Sequence, residues 1–335
     1  MSPVVSMRDV AREAGVSVKT VSRVHNDDPH VSAETRERVE EAISRLGYLP
    51  NTLATTFRDG RSAVVGVVVP SIEDPYFAAI VHQVDRTAAL HGMLTIVAGT
   101  GADPVEERER VETLLSRRLS GLVLAPVSED QSYLTPWAGS TPLVLVDRQP
   151  TRLTADSFTT DDAGGAAVLT EHLLSHGHRR IAFLGDTPRL STTADRLAGY
   201  LRALADAGVD ARPDLVAMAD DDPGGVDGVL DALTALDAPP TALVSSNARC
   251  TQALAPRLRT LGLAVVSFGD FPLSDALVPS VTVLDQQPRL VGELAAARVI
   301  DRHAHPGRRF RRRTTVPAVL VERDSCRGEA PGTSR

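Results

Sequence analysis

At 335 residues the chain exceeds one ordinary hydrophobic core and calls for two or three domains. Its 42% apolar and 24% charged residues are those of a soluble globular protein, and the longest apolar run, Ala63 to Val69, is far too short to span a bilayer. A net charge of −7 argues on its own against a nucleic-acid binder, and two distant cysteines, Cys250 and Cys326, supply neither a disulfide framework nor a paired metal spacing.

The charge is unevenly distributed. Residues 1–26 carry four basic side chains (Arg8, Arg12, Lys19, Arg23) against two acids (Asp9, Glu13), a locally basic tip on an acidic body. The first residues lack a basic start followed by an apolar run, so no signal peptide is expected and a cytoplasmic location is.

Ser6-Met7-Arg8-Asp9 has the form of a capping box and opens a helix that Gly15 closes. Ser17 caps a second helix, and Ser32 a third, which runs through Val39, Ile43 and Leu46 to Gly47. Two short helices joined by a tight turn with glycine make a helix-turn-helix candidate. On the second helix Lys19, Ser22, Arg23 and Asn26 make one polar stripe, while Val21 and Val24 face Val10, Ala11 and Ala14. For an arbitrary helix a solvated face is the better reading of such a stripe. The chemistry of the helix start favours base reading: Val18 and Lys19 project from the turn that enters a major groove, and Arg23 offers a bidentate fork to guanine. Ser6, Ser22, Ser32 and Thr35 are placed to touch phosphates.

Leu49 to Ser62 reads as a linker, yet Leu53, Ala54 and Phe57 form an apolar stripe over two helical turns. Thr55 and Thr56 are poor helix formers, and so short a helix is unstable alone. An apolar wedge in a minor groove would give it a reason to fold, whereas packing of Phe57 on the next domain is the alternative.

Beyond Ser62 short apolar runs alternate with amphipathic stretches. Strands are expected at Val64–Val69, Leu94–Ala98, Gly121–Ala125, Leu143–Asp147, Ile181–Gly185, Leu215–Met218, Ala242–Ser245 and Val265–Phe268. Helices are expected at Ala78–His91, Val105–Arg118, Ala163–His176 and Thr193–Ala207. The alternation predicts an α/β core of two doubly wound parallel-sheet halves, with a ligand between them at the strand ends.

Several other motifs carry little. His172, His176 and His178 have metal-ligand spacing, but imidazoles at a helix C-terminus suit the dipole, and Asp301, His303 and His305 read the same way. Gly99-Thr100-Gly101 lacks the third glycine of a dinucleotide loop, Lys19 is the sole lysine, so no P-loop exists, and no Gly-x-Ser-x-Gly elbow is present. The arginines between Arg308 and Arg313 fit a solvated loop. No catalytic constellation, metal site or cofactor site is expected.

The run Arg8-Asp9-Val10-Ala11-Arg12-Glu13-Ala14-Gly15-Val16-Ser17-Val18-Lys19-Thr20-Val21-Ser22-Arg23-Val24 resembles the head of the lactose-repressor (LacI/GalR) family. Val31-Ser32-Ala33-Glu34-Thr35-Arg36 and Leu46-Gly47-Tyr48-Leu49-Pro50-Asn51 continue the resemblance. Asp74-Pro75-Tyr76-Phe77, Thr160 to Gly165, His176 to Ile181, Asp195 to Tyr200, Phe268 to Phe271 and Thr315 to Arg323 extend it over nearly the whole chain.

The resemblance implies a helix-turn-helix head at 1–50, a hinge helix at 51–61, a periplasmic-binding-protein-like core at 62–328 and a disordered tail at 329–335. The core would divide into 62–160 plus 288–315 and 161–287 plus 316–328. Val18, Lys19 and Arg23 would read bases, Asn26 and His30 would lie near the backbone, and Phe57 would take the place of a leucine wedge. With Ser6, Ser17, Thr20, Ser22, Ser32, Thr35, Asn51 and Ala54 these are the DNA-contact candidates.

For an effector the resemblance implies Tyr76 and Phe77 as walls and Arg196 as a polar clamp, with Asp74, Asn247, Arg249 and Asp270 as further candidates. The chain departs from the family at Asp162, where Asn is common, at Ala248, where Asp is common, and at Gly269, where an acid is usual. The implied function is a homodimeric, sequence-specific regulator, a repressor, binding a double-stranded pseudo-palindromic operator under control of a sugar or related metabolite. A transporter's solute-binding protein and an α/β enzyme are the rival classes. The missing signal peptide and the head oppose the first, and the absence of a nucleophile and base opposes the second.

Overall fold

The computed structural model describes residues 5–25, 28–48, 64–187, 191–219 and 223–327, and the chain divides into two units, Met1–Ser62 and Ala63–Arg335. The hinge candidates Asn51, Ala54 and Phe57, the backbone candidate Asn26 and the tail at 329–335 lie outside the described residues.

In the first unit, α1 (Met7–Ala14), α2 (Val18–His25) and α3 (Ala33–Leu46) follow the capping signals. The backbone N–H and the hydroxyl of Ser6 both donate to Asp9 Oδ2, at 3.0 and 2.6 Å, which fixes the start of α1. The helix stops because Gly15 turns to φ 64°, and Gly47 ends α3 at φ 60°. Val21 and Val24 are buried with Val10, Ala11, Ala14, Val39, Ala42 and Tyr48, and Ile43 and Leu46 pack around them. Arg36 of α3 donates to the carbonyls of Val24, at 3.4 Å, and Asp28, at 3.2 Å, bracing the turn that follows α2.

The second unit holds two six-stranded sheets among the described residues. The first contains β1 (Val64–Val69), β2 (Leu94–Gly99), β3 (Gly121–Leu124), β4 (Leu143–Val146), β5 (Asp156–Thr160) and β11 (Arg313–Val316), in the order β11-β5-β4-β3-β1-β2. All its pairings are parallel. The second contains β6 (Ile181–Gly185), β7 (Val216–Met218), β8 (Ala242–Ser245), β9 (Ala264–Phe268), β10 (Thr282–Asp285) and β12 (Val319–Val321), in the order β12-β10-β9-β8-β6-β7. Only its edge strand β12 runs antiparallel.

The helices cover both sheets. Helices α4 (Pro75–Leu90) and α5 (Pro104–Leu115) each open on Asp-Pro: Asp74 accepts from Tyr76 N and Asp103 from Val105 N, each at 2.8 Å, and proline fills the first helical position. Then follow α6 (Asp162–Ser175), α7 (Ser191–Asp206), α8 (Pro223–Thr234), α9 (Ala248–Leu254), α10 (Leu258–Leu261) and α11 (Pro288–Ala304). Helices α6 and α7 approach so closely at Gly199 that a Cβ there would lie 2.0 Å from the Ala163 carbonyl oxygen. Gly292 plays the same part where α11 crosses α4, 2.6 Å from the Ile80 carbonyl oxygen.

The core is continuous from the two ends of the unit. Val65, Val67, Ile80, Val84, Val123 and Val144 share one buried cluster with Val291, Ala295, Val299 and Val316. Strand β5 was not anticipated, because Asp156-Ser157-Phe158-Thr159-Thr160 is mostly polar. All five residues are nevertheless buried, and polar partners make that tolerable: Ser157 donates to Gln149 Oε1 at 2.9 Å, and Arg302 Nη2 donates to Asp156 Oδ1 at 2.8 Å.

Candidate functional site

The first candidate surface is the start of α2. Val18 is 42% exposed, whereas Val21 and Val24 of the same helix are buried, and Lys19 is exposed beside it. Ser17 accepts from Thr20 N at 3.1 Å, and its hydroxyl lies 2.8 Å from that of Thr20, so both are engaged in capping the helix. Ser22 and Arg23 are half-exposed on the same helix. Arg23 Nε donates to Asp28 Oδ2 at 2.8 Å, and the same carboxylate takes His30 N at 2.9 Å. These bonds, the one from Arg23 first, hold the Asp28 carboxyl down to about 2. Ser6 and Ser32 occupy N-caps, and the Ser32 hydroxyl donates to Thr35 at 2.9 Å. The described DNA-contact candidates therefore lie at helix starts and on α2, with His30 in the turn that precedes α3.

The second is a cavity of about 310 Å³ built where the strands of both sheets end. Pro70 and Ser71 follow β1, Gly101 and Ala102 follow β2, and Asp147 and Arg148 follow β4. From the other sheet come Asp186 and Thr187 after β6, Ala219 after β7, Asn247 to Arg249 after β8, and Gln286 after β10. Carboxyl ends of parallel strands are where open α/β sheets hold ligands, because loops and helix starts converge there.

Tyr76 and Phe77 line this cavity from the first turn of α4, edge to face with ring centroids 5.2 Å apart, and both also belong to the buried core of the first sheet. The Tyr76 hydroxyl is buried and has no hydrogen-bond partner among the described residues. Burial, reinforced by Asp147 and Asp162, pushes that phenol well above its usual range, so it stays a neutral donor. Asp74 lines the cavity too, and burial raises its carboxyl.

Arg196 of α7 is the central cation. Its Nε donates to Asp162 Oδ1 at 2.7 Å, its Nη1 donates to the Ser246 carbonyl at 2.8 Å, and its guanidinium lies 4.0 Å from the centre of the Phe268 ring. Nη2 has no hydrogen-bond partner among the described residues. Burial pushes the Asp162 carboxyl up to about 6, against the pull of Arg196 and with the help of Asp147. Asn247 caps α9 through Oδ1, taking Cys250 N at 2.8 Å, and Nδ2 donates to Asp186 Oδ2 at 3.1 Å. Arg249 completes the positive side of the lining.

Asp270 must be corrected. It does not line the cavity, because its carboxylate accepts from Arg323 Nη2 at 2.9 Å, from the Ser274 hydroxyl and from Phe271 N. Burial works upward on this carboxyl, but the hydrogen bonds from Arg323 and Ser274 prevail and hold it below its usual range. Conversely, Asp147, Arg148, Asp186, Thr192 and Gln286 line the cavity without having been singled out. Asp147 carried a usable signal: an acid at the carboxyl end of an apolar parallel strand. Its left-handed backbone, φ 70°, did not show in the sequence.

A larger depression of about 570 Å³ lies at the opposite, amino ends of β4 and β5. Its acid, Asp156, is already taken by Arg298 at 3.1 Å and by Arg302, so the ligand chemistry concentrates in the smaller cavity.

Residues 6–51 match the family of bacterial regulatory proteins, lacI family, and residues 62–312 match the periplasmic binding proteins and sugar binding domain of LacI family. The chain is 30% identical over 287 residues to the HTH-type transcriptional regulator GalS of Salmonella typhimurium, covering 84% of each chain. It is 28% identical to the ribose operon repressor of Haemophilus influenzae over 94% of this chain and 97% of that one. The lac repressor dimer bound to operator and the anti-inducer ONPF superposes with a TM-score of 0.82, at 26% identity, over 97% of this chain and 99% of the other. Each of these relatives is by name a regulator or repressor. The chain belongs to the lacI family of bacterial regulatory proteins.

Proposed function

We propose that the chain works in the cytoplasm as a dimeric repressor of a pseudo-palindromic operator, released or retained by a sugar-like effector. The observation that carries the reading is the pairing, in one chain, of an exposed Val18–Lys19 helix start with a cavity at the strand ends whose apolar walls hold a few convergent charged and amide groups. Val18, Lys19 and Arg23 read base edges in the major groove, and Ser6, Ser17, Ser22, His30, Ser32 and Thr35 set the register on phosphates. A hydroxyl-rich ligand suits a lining of carboxylates, an amide, guanidinium groups and aromatic rings, and the orphaned Tyr76 hydroxyl and Arg196 Nη2 give it donors. The names of relatives, a ribose operon repressor among them, support the sugar class.

The dimer is supported by strand β2. It is an edge of its sheet, and Leu94, Ile96 and Val97 on it, with Leu90 nearby, are exposed apolar residues that a second copy would cover. Footprinting on the gene's own upstream DNA, repeated with a panel of sugars and nucleobases, tests the reading. Protection of a two-half-site element that one sugar alters is expected. Equal affinity for random DNA, or indifference to every ligand, would overturn it.

A further inference from the structure

Four side chains with metal-ligand chemistry meet at the carboxyl end of α6. His172 and His176 stand one turn apart on that helix and its C-cap. Glu322 follows β12, and Cys326 closes the short 3-10 turn Asp324–Cys326. One ligand atom from each of the four lies within 4.8 Å of all the others. The two histidines alone suggest helix capping, and only the fold brings a carboxylate and a thiol to them.

The details favour ligation over packing. His172 Nε2 is buried and has no hydrogen-bond partner among the described residues, a state that buried imidazole nitrogens avoid unless something binds them. His176 Nδ1 lies 2.9 Å from the His172 carbonyl oxygen, to which it donates, so the lone pair of its ring is on Nε2. That carbonyl is then the outer partner that orients a ligating histidine. Cys326 is fully buried and is anchored with its Sγ donating to the Arg323 carbonyl at 3.2 Å. Glu322 pairs at 3.4 Å with Arg327, but both side chains are well exposed, and such a contact is easily exchanged.

We infer that His172, His176, Glu322 and Cys326 form a binding site for a thiophilic divalent transition metal, zinc by their chemistry. Two imidazoles, one thiolate and one carboxylate make a tetrahedral set whose two negative charges neutralise the ion. Bonds of about 2.0–2.3 Å place tetrahedral ligand atoms roughly 3.3–3.8 Å apart, so the cluster needs to contract by about 1.5 Å at most. The exposed Glu322 and His176 can make that movement, while His172 and Cys326 stay as the fixed pair. Binding releases the thiol proton to solvent and ties α6 to the segment that closes the second sheet. Calcium and magnesium are excluded by the nitrogen and sulfur donors.

The test uses the full-length chain, stripped with a chelator and titrated with Co²⁺. One equivalent is expected to produce a thiolate-to-cobalt band in the near ultraviolet and visible absorption of tetrahedral intensity, both abolished by Zn²⁺. Cys326→Ser should remove the near-ultraviolet band, while Cys250→Ser should leave it intact. His176→Ala, an exposed change that spares the fold, should weaken Zn²⁺ binding by at least about tenfold and cancel the rise in melting temperature that Zn²⁺ gives the wild type. Stoichiometry well below one per chain, or Cys326→Ser and His176→Ala variants that bind Zn²⁺ as the wild type does, would overturn the assignment.

Discussion

Arg196 and Asp162 form an ion pair at 2.7 Å in which the side chains are only 8% and 9% exposed. The arrangement is costly in isolation, since both ions leave water. It is tolerable because the Ser246 carbonyl and the Phe268 ring take up the rest of the guanidinium, and it fixes the direction in which Nη2 is offered. Asp162 thereby acts as a positioning residue for the cation of the cavity.

Removing one partner should therefore be far worse than weakening the pair. Arg196→Ala leaves a buried carboxylate without its counter-ion and should cost about 3–5 kcal/mol of stability in urea unfolding. Arg196→Lys should remain folded but lose the effector response of operator binding, because an ammonium cannot hold Asp162 and a ligand in one plane. A lysine variant with wild-type effector response would refute the clamp.

Asp162 also makes stability depend on pH. Its carboxyl is pushed from 3.8 in the unfolded chain to about 6 in the fold, so between those values the folded state binds more protons. The contribution is fully present below pH 3.8 and is lost as pH rises through 6. Measured against Asp162→Asn, which cannot titrate, the wild type should gain stability as pH falls from 7 to 4, with a slope of at most about 1.4 kcal/mol per pH unit. Parallel unfolding curves at every pH would remove this account.

In the head, Asp28 holds Arg23 by its Nε, which leaves the two terminal nitrogens of the guanidinium for the base reading proposed above. Asp28→Asn should keep the head folded, since the buried cluster is untouched. The ratio of specific to random DNA affinity should fall several-fold at fixed salt, because the arginine loses its aim while the local charge becomes more positive. An unchanged ratio in a binding titration would mean the pair is decorative.

Two glycines distinguish close packing from mere helix composition. Gly199→Ala drives a Cβ to 2.0 Å from the Ala163 carbonyl oxygen, so α6 and α7 must move apart at a cost of about 1–3 kcal/mol. Gly228→Ala, in α8, meets nothing within 4 Å and should be neutral or stabilising by up to about 1 kcal/mol. In thermal melts Gly199→Ala should unfold at a lower temperature than the wild type, while Gly228→Ala should unfold at the same or a higher one.

Apolar runs made most of the sheet order readable. Val64–Val69 and Ile181–Gly185 are buried central strands with the bounds their composition implied, since fully buried parallel strands have little choice but to be apolar. Asp156–Thr160 escaped because its burial rests on partners elsewhere, Gln149 and Arg302, that local composition does not display. In the cavity, Tyr76 and Phe77 were legible only through the resemblance of Asp74-Pro75-Tyr76-Phe77 to the lactose-repressor family, and both line it. Asp270 misled for the converse reason: its partner Arg323 is 53 residues further along the chain. His172 and His176 looked complete as helix-end residues until Glu322 and Cys326 were brought to them.

The chain passes from the first sheet to the second after β5, back after β10, and over again between β11 and β12. The core of the first sheet consequently waits for Val291, Ala295, Val299 and Val316, which leave the ribosome last. Until then β5 lacks its outer neighbour and the face that α11 covers is bare. Synthesis thus delivers neither half as a finished body partway through. Both halves become complete together, within the final few dozen residues, and a message truncated shortly before them would yield a chain with the DNA head but no intact control domain.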